Sequence, residues 1–157
     1  MKAAALSDIK NELIKLPPKR LVELCLRLAR FKKENKELLA FLLFDAEDEQ
    51  SYVESIKMEI DQAVEELNTT NWYFLKKGLR KILRSITKYG KFTNLKESEV
   101  EMLLHFVKKM YLMGIVHNRN KAINNLYETQ VVKTTKLIDL LHEDLQFDYK
   151  NQLGELF

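Results

Sequence analysis

Apolar residues recur every three or four positions through successive stretches of the chain, the period of helices that bury one face. Ser7 caps a short first helix with Ile9, Leu13, Ile14 and Leu16 on one side, and Pro17-Pro18 ends it. A second helix runs from Pro18 to about Lys33 and buries Leu21, Leu24, Cys25, Leu28 and Phe31. The third, near Asn35 to Asp45, is apolar almost all round through Leu38 to Phe44, which predicts the most buried element. A fourth helix over about Glu49 to Leu67 turns Val53, Ile56, Ile60 and Val64 inward. Asn71 caps the fifth, Trp72 to Tyr89, whose Trp72, Leu75, Leu79, Ile82, Leu83, Ile86 and Tyr89 share one arc, and Gly90 terminates it.

The C-terminal third continues in the same period. Asn94 with Glu97 forms a capping box for a sixth helix that ends at Met113-Gly114, with Val100, Leu103, Leu104, Val107, Met110 and Tyr111 inward. A last helix spans about Asn120 to Leu145, weakest at the β-branched stretch Thr129 to Thr135. Residues 146–157 form an apolar tail able to dock.

A hydrophobic content of 46% with 31% charged residues fits a folded globular chain, and 157 residues fit a single all-α domain over 1–157. Only 4 Gly and 2 Pro argue for long helices over the many turns of an all-β fold. The expected fold is therefore six to seven antiparallel amphipathic helices, as a helical bundle or a short HEAT-like right-handed array. Helix pairs starting near Asp48 and Lys96 are spaced by about 48 residues, a resemblance to HEAT arrays in architecture alone. No apolar run is long enough to span a bilayer. The absence of a signal-length apolar stretch after Met1, with Cys25 as the lone cysteine, makes a reducing, cytoplasmic setting the expectation. Cys25, on an apolar stripe, is expected to be buried and unreactive.

Charge changes the picture. Between Asp45 and Glu66 the acids are opposed only by Lys57, whereas from Leu67 to Lys96 there is no acid at all. A net charge of +3 is too small to drive nucleic-acid binding by itself, so such binding needs a local patch. The fifth helix supplies one. Lys76, Lys77, Arg80, Lys81, Arg84 and Lys88 lie opposite its apolar arc together with Tyr73. Cations at this spacing can neutralise phosphates while an aromatic ring stacks on a base. The same face could instead be solvated, neutralised by the acidic fourth helix, or paired with another copy of the chain. The N-terminal segment adds Lys10, Lys15, Lys19, Arg20, Arg27, Arg30, Lys32, Lys33 and Lys36.

Catalytic signatures are absent. His105, His117 and His142 form no His-Glu-x-x-His motif; Asp139 and His142, three apart on one helical face, are half of a metal motif at best. No serine stands in a Gly-x-Ser-x-Gly elbow, and the isolated glycines build no phosphate loop. Gly78 inside a helix marks close packing. The expectation is a non-catalytic interaction module without cofactor. Its partner would be a protein, a second copy or nucleic acid, with a self-associating structural protein, or a helical enzyme or metal protein using Asp139, His142 and acids of the fourth helix, as the alternatives.

Overall fold

Proline sets the first boundary: Pro17 ends the opening turn of chain, and Pro18 starts the next helix where its missing N–H is no loss. The computed structural model describes residues 4–116 and 120–156, and among these every regular element is helical. The elements are α1 (Leu6–Ile14), α2 (Pro18–Phe31), α3 (Lys33–Ala40) running into a π-helical turn (Phe41–Asp45), α4 (Glu49–Glu65), α5 (Trp72–Thr93), α6 (Lys96–Leu112), α7 (Lys121–Ile138) and α8 (Glu143–Gly154). That makes eight α-helices among the described residues rather than six to seven. None is long and apolar enough to cross a membrane. The chain divides into two compact units, Met1–Phe44 and Asp45–Phe157.

Within the first unit α2 packs on α3, and no residue of α1, α2 or α3 is buried. The apolar third stretch is not the most buried element: Phe41 is buried, but Leu42, Leu43 and Phe44 are exposed, the last at 80%. A helix apolar all round is buried only when neighbours surround it, and so short a segment cannot supply them. Leu28, Phe31 and Cys25 are likewise exposed rather than buried. Cys25 should accordingly react rapidly with a thiol reagent in native buffer, at a rate that denaturant changes little; slow labelling accelerated by denaturant would show a covered thiol.

In the second unit the most buried element is α6, which packs against α4, α5 and α7. Val100, Leu103 and Val107 are joined in the core by Met102 and Phe106, which lie outside the expected inward stripe. Tyr111, expected inward, is exposed. From α5 come Leu75, Leu79 and Ile86, each with no solvent exposure, whereas Trp72, expected on the same arc, is exposed at the start of the helix.

Two boundaries move for physical reasons. Gly90 does not terminate α5: it stays helical and buried because Glu99 packs against it, and a Cβ at Gly90 would come within 3.0 Å of Glu99 Cγ. Asn94 serves as the left-handed stop instead (φ 56°), so it is the C-cap of α5 and not part of a capping box for α6. The last predicted helix is two helices. Its β-branched middle holds, with Thr129, Thr134 and Thr135 hydroxyls donating to carbonyls four residues back. The break falls after Ile138, where Gln146 Nε2 donates to the Asp139 and Leu141 carbonyls and His142 caps α8. Residues of the tail are helical in α8, with Tyr149, Leu153 and Leu156 buried.

Candidate functional site

Asn71 starts α5 by accepting hydrogen bonds from the Tyr73 and Phe74 amides at 2.9 and 3.4 Å. The helix then fixes two faces at once. Burial of Leu75, Leu79, Ile82 and Ile86 on one side leaves Tyr73, Lys77, Arg80, Lys81 and Arg84 exposed on the other, with Lys76 and Lys88 half-buried at the margins. Tyr73, Lys77, Arg80 and Arg84 follow each other at four-, three- and four-residue steps, a stripe about 16 Å long at about 1.5 Å per residue.

The stripe has relief as well as charge. Tyr73, Lys76, Lys77, Arg80, Leu83 and Arg84 line a shallow depression of about 610 Å³. At its N-terminal end Tyr73 is 69% exposed and meets Phe74 edge-on, with ring centroids 5.4 Å apart. That leaves the Tyr73 ring braced by Phe74 yet mostly open to solvent. Lys88 is set apart, its ammonium 4.6 Å from the centre of the Tyr89 ring.

Whether α4 neutralises this stripe is decided by where its acids go. Glu54 accepts from Lys57 at 2.7 Å, Asp61 pairs with His105 and Lys109 of α6 at 2.6 and 2.9 Å, and Glu49 accepts from Ser98 Oγ at 2.6 Å. Glu59 reaches the Tyr89 hydroxyl at 3.3 Å. The acidic helix is thus tied mainly to α6 and to itself. Among the described residues no acid forms an ion pair with Lys76, Lys77, Arg80, Lys81 or Arg84. Glu59 and Glu66 do share a groove of about 420 Å³ with Lys77, Lys81 and Arg84, over a floor that includes Ile60, Leu67 and Gly78. Charges that close damp one another's field, so the unopposed edge is the outer one, along Tyr73, Lys76 and Arg80. Gly78 has its place in this groove because Leu67 lies over it and would collide with a Cβ there.

A polar cluster that the sequence did not announce joins α4, α6 and α8. Lys57 Nζ donates to both Glu54 and Glu101 at 2.7 Å, and the Tyr149 hydroxyl lies 3.2 Å from the carboxylates of Glu97 and Glu101. Lys57, Glu101, His105 and Tyr149 border a cleft of about 390 Å³. Burial, with the Glu101 and Glu97 carboxylates beside it, pushes the Tyr149 hydroxyl far above the ordinary tyrosine range, so it holds its proton and acts as a donor. Burial pulls the Lys57 ammonium down, but its hydrogen bonds to Glu101 and Glu54 outweigh that and leave it above the ordinary lysine value. The isolation of Lys57 among acids was the one visible trace of this cluster.

The cluster predicts acid sensitivity. Burial raises Asp61, yet hydrogen bonds from Lys109 and His105 prevail and hold its carboxyl below 3.8; Glu54, bonded to Lys57, lies below 4.5. A carboxyl whose folded value is depressed stabilises fully above its unfolded value and loses that contribution as pH falls through the folded one. The wild-type melting temperature should therefore fall as the pH drops below 3.8, whereas Asp61→Asn starts lower at neutral pH and declines less steeply. Parallel declines for the two proteins would remove Asp61 from the account.

The half-motif Asp139 and His142, weighed as the metal alternative, is not assembled on one helix. α7 ends at Ile138 and His142 is the N-cap of α8, so Asp139 and His142 share no helical face. Asp139 pairs instead with Lys150 at 2.7 Å. His117 lies outside the described residues. Among the described residues no group of three His, Cys, Asp or Glu could hold a metal ion, and no hydroxyl or thiol is bonded to His105 beside Asp61. No protein-family model, curated protein or solved structure matches the chain.

Proposed function

We propose that the chain is a non-catalytic helical interaction module that binds an acidic partner, nucleic acid or an acidic protein, through the outer face of α5. One observation carries this: Lys76, Lys77, Arg80, Lys81 and Arg84 lack ion pairs among the described residues, while Glu54 and Asp61 of α4 pair with Lys57, His105 and Lys109. Bases three and four residues apart stand about 5–6 Å from one another along the helix, a spacing at which successive anionic groups of one polymer can be met in turn. Arg80 and Arg84 can grip phosphate or carboxylate with two parallel hydrogen bonds each. The exposed ring of Tyr73 favours a single-stranded nucleic acid, since a base can stack there with little sequence preference.

Titration of labelled single- and double-stranded oligonucleotides at two salt concentrations tests the proposal, with capture of an acidic protein in parallel. Binding that weakens steeply with salt, with single strands preferred, is the expected result. Absence of binding in every arm would defeat it. A mass, measured by light scattering, that doubles at low salt and halves at high salt would point instead to two copies meeting through their charged faces.

A further inference from the structure

We infer that α2 is a docking element for an anionic lipid surface, lying in the headgroup plane with its open apolar face toward the acyl chains. Two helices of similar amphipathicity, α2 and α5, differ in what covers them. The apolar face of α5 is spent on the core, with Leu75, Leu79 and Ile86 fully covered. That of α2 is not: no residue of it is buried, and Val22, Leu26, Leu28 and Phe31 are exposed, Phe31 at 76%. At about 100° per residue its apolar side chains fill an arc of about 220°, far wider than the strip a single neighbour such as α3 can cover.

Charge placement identifies the occupant. On the remaining polar arc Lys19 and Arg30 border the apolar face beside Leu26, Arg20 and Arg27 border it beside Phe31, and Glu23 sits between the two pairs. Long basic side chains at both borders can lay their stems along the apolar surface and raise their charges to the level of lipid phosphates; Glu23 takes up Arg20 at 2.8 Å, and among the described residues Lys19, Arg27 and Arg30 have no acid partner. A protein groove needs no such symmetry of cations about the apolar face. A helix with a wide apolar face, a basic polar face and low net hydrophobicity is the form that lies on a bilayer without spanning it, and no described helix is able to span one. Leu42, Leu43 and Phe44 add exposed apolar surface in the same unit.

This inference stands on different residues from the α5 proposal and can fail separately. The full chain is sedimented with vesicles of phosphatidylcholine and phosphatidylserine, and with phosphatidylcholine alone. Binding to the mixed vesicles, weaker by about tenfold or more on the neutral ones, is expected, because the basic borders add an electrostatic part that neutral lipid lacks. Leu28→Glu with Phe31→Glu should lose that binding, and Arg80→Glu with Arg84→Glu should keep it. A polarity-sensitive dye on Cys25, which lies within the apolar arc, should shift to the blue with mixed vesicles. No sedimentation, equal binding to both lipids, loss of binding in the α5 variant, or an unshifted dye on bound protein would each overturn the assignment. So would a dye shift that grows with protein concentration in the absence of lipid, since a second copy would then be the cover.

Discussion

Replacing Leu79 with alanine should destabilise the Asp45–Phe157 unit by about 2–5 kcal/mol, and Ile86→Ala by a similar amount. Both side chains have no solvent exposure and belong to the continuous core that α4, α5, α6, α7 and α8 share. Truncation removes the transfer free energy of the lost carbons and leaves a cavity that neighbours such as α6, held on several sides, cannot collapse to fill. Urea unfolding followed by the fluorescence of Trp72, which lies in the same unit, gives the comparison. Leu28→Ala provides the contrast: its side chain is exposed and should change stability by a few tenths of a kcal/mol. A loss that small at Leu79 would mean that the inner face of α5 is not packed as described.

Reversal of Arg80 and Arg84 to glutamate carries the largest expected effect on binding. With about five phosphates neutralised on a single strand, the logarithm of affinity should fall with a slope near −3.5 against the logarithm of salt, about a hundredfold for a fourfold rise. The double variant removes two of those contacts and adds two repulsions, so the expected outcome is loss of measurable binding at moderate salt with an unchanged urea transition. Both side chains are exposed and unpaired among the described residues, which is why the fold should tolerate the change. Equal affinity in variant and wild type would show that this face is merely solvated.

In the second unit α4 and α5 were legible because each pairs a three-to-four-residue apolar period with a cap: Asp48 accepts from the Ser51 amide at the start of α4, and Asn71 from those of Tyr73 and Phe74 at the start of α5. Gly90 misled for a reason that local propensity cannot contain, since the residue that keeps it helical is Glu99 on the next helix. Met102 and Phe106 escaped notice because a helix packed against α4, α5 and α7 buries more than one stripe. In the first unit the error ran the other way. Apolar content at Leu42, Leu43 and Phe44 says what a side chain prefers, and only the surrounding elements decide whether the preference is met. Of the candidate site, the one-sidedness of the α5 bases could be read directly. That α4 would turn its acids to His105 and Lys109 could not, because those partners are more than forty residues away in sequence, as the separation of 44 between Asp61 and His105 illustrates.

The position of α6 also bears on how the chain finds its structure. Among the described residues of the second unit the principal packings are α4 with α5, α5 with α6, α6 with α7 and α7 with α8; α4 with α6 skips a helix, as do the Tyr149 bonds from α8 to Glu97 and Glu101 of α6. Each step of assembly therefore closes a short loop and recovers apolar burial at once, with little entropy lost before the gain. Such wiring belongs to chains that fold in microseconds to milliseconds. α6 is its gate: until that helix is in place, α4 and α7 have no common surface to settle on, so substitutions in α6 should slow folding where those in α8 chiefly hasten unfolding.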